Sequence, residues 1–278
     1  MKDILRKVYH FLLRCIQILN WKKEASCERK SITANTNIQN SLKGKKLILI
    51  PHADDEWVGC SRFVMHDNDL TLCNMDMQGG DSKQMHEIRV NELGRIASRY
   101  NRNLVTIGED KDGELSKLIT SLRPDIIFVP FFMDWHEEHV AVMQCLKTAL
   151  EAYQDVLKNS KLQIAMYQVS LPIVTDAVTH CVPLDKNQWK EKWTVFEEIY
   201  KTQVVIPYKR FAYNEHINGK IASSFAAEVF VVSDAQKWQH DYEKMLFTED
   251  EKTRINAALQ NITETRKLLK DFYYLRTI

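Results

Sequence analysis

Leu47-Ile48-Leu49-Ile50, followed at once by Pro51-His52-Ala53-Asp54-Asp55-Glu56, is a short apolar run that breaks off into titratable side chains. Four large aliphatic residues with no polar alternation describe a strand covered on both faces rather than one side of an exposed sheet. The same design recurs at Ile126–Pro130, which leads into Asp134-Trp135-His136-Glu137-Glu138-His139. Further β-rich runs at Leu70–Asn74, Leu104–Ile107, Ile164–Val169 and Val229–Val232 are separated by stretches of helical character at Lys83–Tyr100, Glu114–Leu122, Val140–Leu157 and Gln188–Thr202. Strands alternating with helices predict an α/β domain: a Rossmann-like, mostly parallel sheet with helices on both faces.

In such a sheet ligands bind beyond the carboxyl ends of the strands, beside the point where the strand order reverses. The first and fourth strands flank that point, so His52–Glu56 and Asp134–His139 are expected to share one crevice. Nothing resembling G-x-G-x-x-G occupies the first turn, and Asp54, Asp55 and Glu56 would repel a pyrophosphate, which argues against a dinucleotide cofactor. Imidazoles and carboxylates without thiolates suit zinc or another divalent first-row metal, and three protein ligands leave a position for water. Each cluster alone also reads as ordinary loop or helix-start chemistry; their joint placement gives them weight.

The ordered residues resemble the LmbE-like family of metal-dependent N-deacetylases, which includes the N-acetylglucosaminyl-phosphatidylinositol (PIG-L) de-N-acetylases. The family's strand ending in H-P-D-D-E is matched by Leu47–Glu56, R-x-x-E-L by Arg89-Val90-Asn91-Glu92-Leu93, and H-x-D-H by His136-Glu137-Glu138-His139. Gly79-Gly80, Asp112-Gly113, Leu122-Arg123-Pro124-Asp125, Lys192, Gln203 and Ala227-Glu228-Val229-Phe230 follow in the family's order, so the likeness runs from about Lys46 to Asp234. It implies that His52, Asp55 and His139 bind the metal, Zn2+ or another divalent first-row ion. Asp54 would be general base toward the metal's water, and His136 would polarise the amide carbonyl and protonate the leaving amine. The substrate it implies is an N-acetylglucosamine-type amino sugar or its lipid-linked, nucleotide-linked or glycoside conjugate. Another small amide or ester, or a catalytically idle sugar-binding domain, are the alternatives.

Two positions depart from the family pattern. Ala53 stands where Pro is usual, removing a fixed φ from the loop; Glu138 replaces Asp and gives a longer arm beside His136. Gln78 and Glu228 also lie on or near family motifs. Arg89 and Glu92 read equally well as an exposed i, i+3 helical pair. The tract Tyr208-Lys209-Arg210-Phe211-Ala212-Tyr213 reads either as cleft lining or as a surface loop. Trp189 and Trp193, spaced i, i+4, read as packing residues, and Thr248-Glu249-Asp250-Glu251 as a capping box opening a structural helix to about Lys270.

Outward from this body, residues 1–46 carry 11 Lys and Arg against three Asp and Glu, although the whole 278-residue chain is at +1. The acidic remainder lacks the basic stripe a nucleic-acid enzyme needs. The chain therefore divides into a segment 1–44, an amphipathic basic helix with a polar linker, and a deacetylase-like domain 45–278. Within 4–19, Ile4, Leu5, Val8, Phe11, Leu12, Ile16 and Leu19 keep helical spacing opposite Arg6, Lys7, His10 and Arg14. Such a helix either packs on the domain or lies on an anionic membrane surface. Lys7 and Arg14 interrupt it too early for a transmembrane span. Six scattered cysteines with no C-x-x-C pair fit free thiols in a reducing compartment, hence a cytoplasmic protein, at most peripheral to the inner face of the membrane.

Overall fold

The computed structural model describes residues 2–35, 38–77, 82–152, 161–204 and 208–277. Seven strands, β1 (Lys46–Ile50), β2 (Leu70–Asn74), β3 (Asn103–Thr106), β4 (Ile126–Pro130), β5 (Gln163–Tyr167), β6 (His180–Leu184) and β7 (Ala226–Asp234), form one sheet in the order β3-β2-β1-β4-β5-β7-β6. The first five are parallel, with β1 between β2 and β4. The order reverses between β1 and β4, as the sequence predicts.

Alternate residues of the central strands separate into two cores. Leu47, Leu49, Ile127 and Val129 enter one, and Ile48, Ile50, Ile126 and Phe128 enter the other. All eight are fully buried, which is why neither strand shows polar alternation. The first core is closed by α4 (Lys111–Leu122), α5 (Glu137–Ala152), α8 (Ala235–Met245), α9 (Glu249–Ala258) and α10 (Ile262–Thr277); the second by α2 (Asp55–His66), α3 (Lys83–Arg99) and α6 (Lys186–Ile199).

The structure corrects several details. β7 runs antiparallel to both β5 and β6, so the sheet ends in a mixed edge. β6 escapes the hydrophobic pattern because Pro183 and half-buried Val182 interrupt its apolar run. The Tyr208–Tyr213 tract is not a loop but part of α7 (Lys209–Asn218). The helix expected to run to Lys270 is two helices, α9 and α10; the capping box of Thr248 and Glu251 is present as expected. Helix α5 is described to Ala152; residues 153–157 of the expected span lie outside the described residues, as do Gln78, Gly79 and Gly80.

The N-terminal helix α1 (Lys2–Ser31) is longer than the 4–19 span read from periodicity. Its second half packs on the body: Trp21 and Ala25 are buried against Ile217 of α7 and Ile262 of α10. Trp21 Nε1 and Gln17 Nε2 donate to the carbonyl of Gln260, and Arg29 donates to the carbonyls of His216 and Ser224. Arg6 and residues 8–14 of its first half are exposed. Among the described residues no helix is long and apolar enough to cross a membrane.

Candidate active site

The chain leaves β1 in a tight turn: the Asp55 amide donates to the His52 carbonyl at 3.1 Å, and α2 starts at Asp55. Asp54 caps α2 with φ at 124°, a value that L side chains rarely adopt. Its carbonyl accepts from the amides of Trp57 and Val58 at 3.0 and 2.9 Å. A strained non-glycine residue held by its surroundings at a strand end is a recurrent sign of a functional position. Ala53, where a fixed φ was expected to be missed, is buried in the second core, so packing holds the loop instead.

Across the crevice, His139 lies in the first turn of α5, just after β4. Three donor atoms meet there. His52 Nδ1 is 3.2 Å from Asp55 Oδ2, His139 Nε2 is 3.2 Å from Asp55 Oδ2, and the two ring nitrogens are 3.2 Å apart. Each ring has a carboxylate on its other nitrogen: Asp134 Oδ2 sits 2.8 Å from His139 Nδ1, and Glu138 Oε2 contacts His52 Nε2. Asp55 Oδ2 also accepts from the His52 amide at 2.9 Å.

His136 stands slightly outside this triangle, its ring stacked on His139 with centroids 4.7 Å apart. One nitrogen each of His52, His136 and His139 can be chosen within 4.8 Å of one another, a looser grouping that shares two histidines with the triangle. Glu138, expected beside His136, is 3.9 Å from His136 Nδ1 and is committed to His52 instead. His136 Nδ1 is buried without a hydrogen-bond partner among the described residues.

The charges of the site are interdependent. Burial pushes the Asp54 carboxyl well above its ordinary range, and the adjacent carboxylates of Asp55 and Glu56 push it further. Burial opposes ionisation of Asp55 too, but His139 and His52 outweigh it and hold that carboxyl low. His139 is fully buried, yet Asp134 and Asp55 raise it well above the usual imidazole value. His136 is lowered, first by burial and then by the two neighbouring imidazoles. Buried Glu56, bonded to Tyr200, is pushed up to about 7 by burial. Adjacent carboxylates driven in opposite directions are the arrangement by which a site acquires one ionised and one proton-accepting acid.

The triangle opens into a cleft of about 840 Å³. Asp54, Asp55 and the three histidines form its floor; Arg89, Trp135, Gln203, Arg210, Phe211, Lys252 and Asn256 are among the residues of its walls. The aromatic and basic tract thus contributes Arg210 and Phe211 to the cleft, whereas Tyr208 packs on Phe196. Arg89 and Glu92 are not an exposed pair. Arg89 faces the cleft, and buried Glu92 accepts from the amide and hydroxyl of Thr202. Trp193 is buried as a packing residue, as expected. Glu228 is buried at the base of α2, where it accepts from Ser61 and Lys192. α9, read as merely structural, supplies Lys252 and Asn256.

The role of Asp134 escapes the sequence reading. The signal that could have found it is its place at the same strand end, five residues before His139 and facing a ring that must present one fixed nitrogen.

No family model and no curated protein matches the chain. Solved structures do. The conserved protein TT1542 from Thermus thermophilus superposes with a TM-score of 0.54 at 18% identity, covering 68% of this chain and 94% of that one. N,N'-diacetylchitobiose deacetylase from Pyrococcus horikoshii, solved with its inhibitor MPG, gives a TM-score of 0.52 at 15% identity, covering 70% and 86%. The chain shares its fold with these two proteins.

Proposed function

We propose that the chain is a metal-dependent deacetylase that hydrolyses the N-acetyl group of an amino sugar or its conjugate, of the N-acetylglucosamine type. The observation that carries this reading is the 3.2 Å triangle of His52 Nδ1, Asp55 Oδ2 and His139 Nε2. Donors about 2.0 to 2.1 Å from a tetrahedral zinc stand about 3.3 Å apart, so the donor set fits that ion with one corner open. The carboxylates of Asp134 and Glu138 behind the rings are the outer partners such histidines use. The shared fold with a chitobiose deacetylase supports the same reading.

When bound, the ion acidifies a water and draws electron density from the amide carbonyl. The chain's own residues supply the rest. Asp54, buried beside the triangle with its carboxyl pushed up, accepts a proton from the attacking water. His136, on the cleft side, steadies the charge developing on the carbonyl oxygen and gives a proton to the departing nitrogen. The cleft is large enough for a sugar and a linked group, lipid or nucleotide, and Trp135 and Phe211 offer apolar faces for the ring. Six free cysteines fit a cytoplasmic setting.

The test is acetate release from a panel of N-acetylated amino sugars by zinc-loaded protein. Release from at least one, abolished by chelation and restored by zinc, supports the reading. Zinc-dependent cleavage of unrelated small amides or esters alone would move the substrate class elsewhere.

A further inference from the structure

Exposed apolar surface on this molecule is concentrated in one place. Ten large hydrophobic side chains are exposed among the described residues, and seven of them lie between Val8 and Leu19 of α1. Phe11 is 66% exposed and Leu19 64%, values that only Leu275 near the C-terminus exceeds among these side chains. Isolated exposed hydrophobes are ordinary, whereas a contiguous patch marks an interaction surface.

The second half of the helix sets the patch's orientation. Trp21 and Ala25 hold α1 on the body, with Ile18 packed at their edge. At 100° per residue, Arg14 falls on the same row as these three, while Val8, Phe11, Leu12, Ile16 and Leu19 occupy an arc of about 140° turned away from it. The stripe therefore faces outward, and the polar row lies on the side of the body. Exposed Lys22 and Lys23 continue the stripe's side beyond Leu19.

We propose that the first half of α1 lies in the headgroup region of an anionic lipid surface, with its apolar stripe inserted. Charge selects this occupant over a second copy of the chain. α1 itself holds eight Lys and Arg against three Asp and Glu, so two such helices repel one another, whereas an anionic bilayer attracts each. Width argues the same way: a two-helix seam needs only a narrow apolar stripe, and this arc is far broader. The docked half rests on α7 through Ile217 and on the carbonyl of Gln260 just after α9. α7 and α9 also carry Arg210, Lys252 and Asn256, so the lipid-bound helix lies behind a wall of the cleft.

The experiment is co-sedimentation of the full chain with phosphatidylcholine vesicles, with and without phosphatidylglycerol, beside a Phe11→Asp/Leu12→Asp double variant. The full chain is expected to bind the phosphatidylglycerol vesicles at low salt and to be released by high salt. The double variant should bind at least about tenfold more weakly at unchanged Tm, because both side chains are more than half exposed. Absence of binding by the full chain, or equal binding by the variant, overturns the proposal. So does a concentration-dependent dimer that the same variant dissociates, which would assign the stripe to a second copy. Vesicle binding is read without turnover, so it stands or falls separately from the deacetylase reading.

Discussion

The Nδ1 of His139 lies 2.8 Å from Asp134 Oδ2, which leaves the Nε2 of the same ring facing Asp55 and His52. Removing a carboxylate that orients a metal-binding histidine typically costs about ten- to a hundredfold in affinity. Asp134→Ala is therefore expected to weaken zinc binding by that factor, measured by competition with a chromophoric chelator. Wild-type affinity in this variant would make Asp134 a structural cap rather than part of the centre.

Glu138 separates two roles that the sequence motif merges. Its carboxylate contacts His52 Nε2 and stands 3.9 Å from His136 Nδ1. Glu138→Ala should weaken zinc binding, again about tenfold, whereas His136→Ala should keep zinc and lose turnover. Zinc loss in His136→Ala but not in Glu138→Ala would exchange the assignments and favour the looser three-histidine grouping.

How much of this was legible in the chain depended on whether local pattern carried the signal. β1 and β4 are buried on both faces, so unbroken apolar runs betray them, and the reversal between them follows from βαβ order. His52, Asp55 and His139 could be singled out because strand ends are where such sheets bind ligands. β6 and the antiparallel edge were not legible, since Pro183 interrupts the run and strand direction is a tertiary fact. Glu92 looks like half of a surface pair; only the chain's return at Thr202 makes it a buried acceptor. For α1, one-sidedness was visible, but a single helix that docks by one half and is bare on the other has the same periodicity as either alternative.

A buried network behind α2 gives a pH-dependent expectation. Lys192, wholly buried, donates to Glu215, to Glu228 at 2.8 Å and to the carbonyl of Val58. Burial pushes Glu215 up from 4.5 to about 7; Lys192 opposes this, and Glu228 adds to the rise. A carboxyl raised in the folded state keeps a proton that the unfolded chain has released. Its contribution is thus full below about pH 4.5 and is lost as pH rises through about 7, a change of roughly 3 kcal/mol. Glu215→Gln should flatten the denaturation profile between about pH 5 and 8 relative to wild type. Parallel profiles would show that Glu215 does not titrate in that window.

Trp21 is the anchor of α1, buried with its Nε1 donating to the Gln260 carbonyl at 2.8 Å. Truncating a buried tryptophan costs about 3 kcal/mol or more. Trp21→Ala is expected to release the helix before the body unfolds, seen as faster amide exchange in residues 17–31 and tryptic cleavage after Lys22 and Lys23. Unchanged protection there would mean that the contacts of Gln17 and Arg29 suffice.

The most direct test of the central claim is a side-by-side measurement of zinc content and acetate release for the wild type and Asp54→Asn. Asp54 adjoins the donor triangle without belonging to it, and general-base groups contribute about 10²- to 10⁴-fold. About one zinc per chain is expected in both proteins, with acetate released from an N-acetylated amino sugar by the wild type and at least about a hundredfold more slowly by Asp54→Asn. Equal rates in the two proteins, or a zinc-loaded wild type that releases no acetate from any N-acetylated amino sugar, would contradict it.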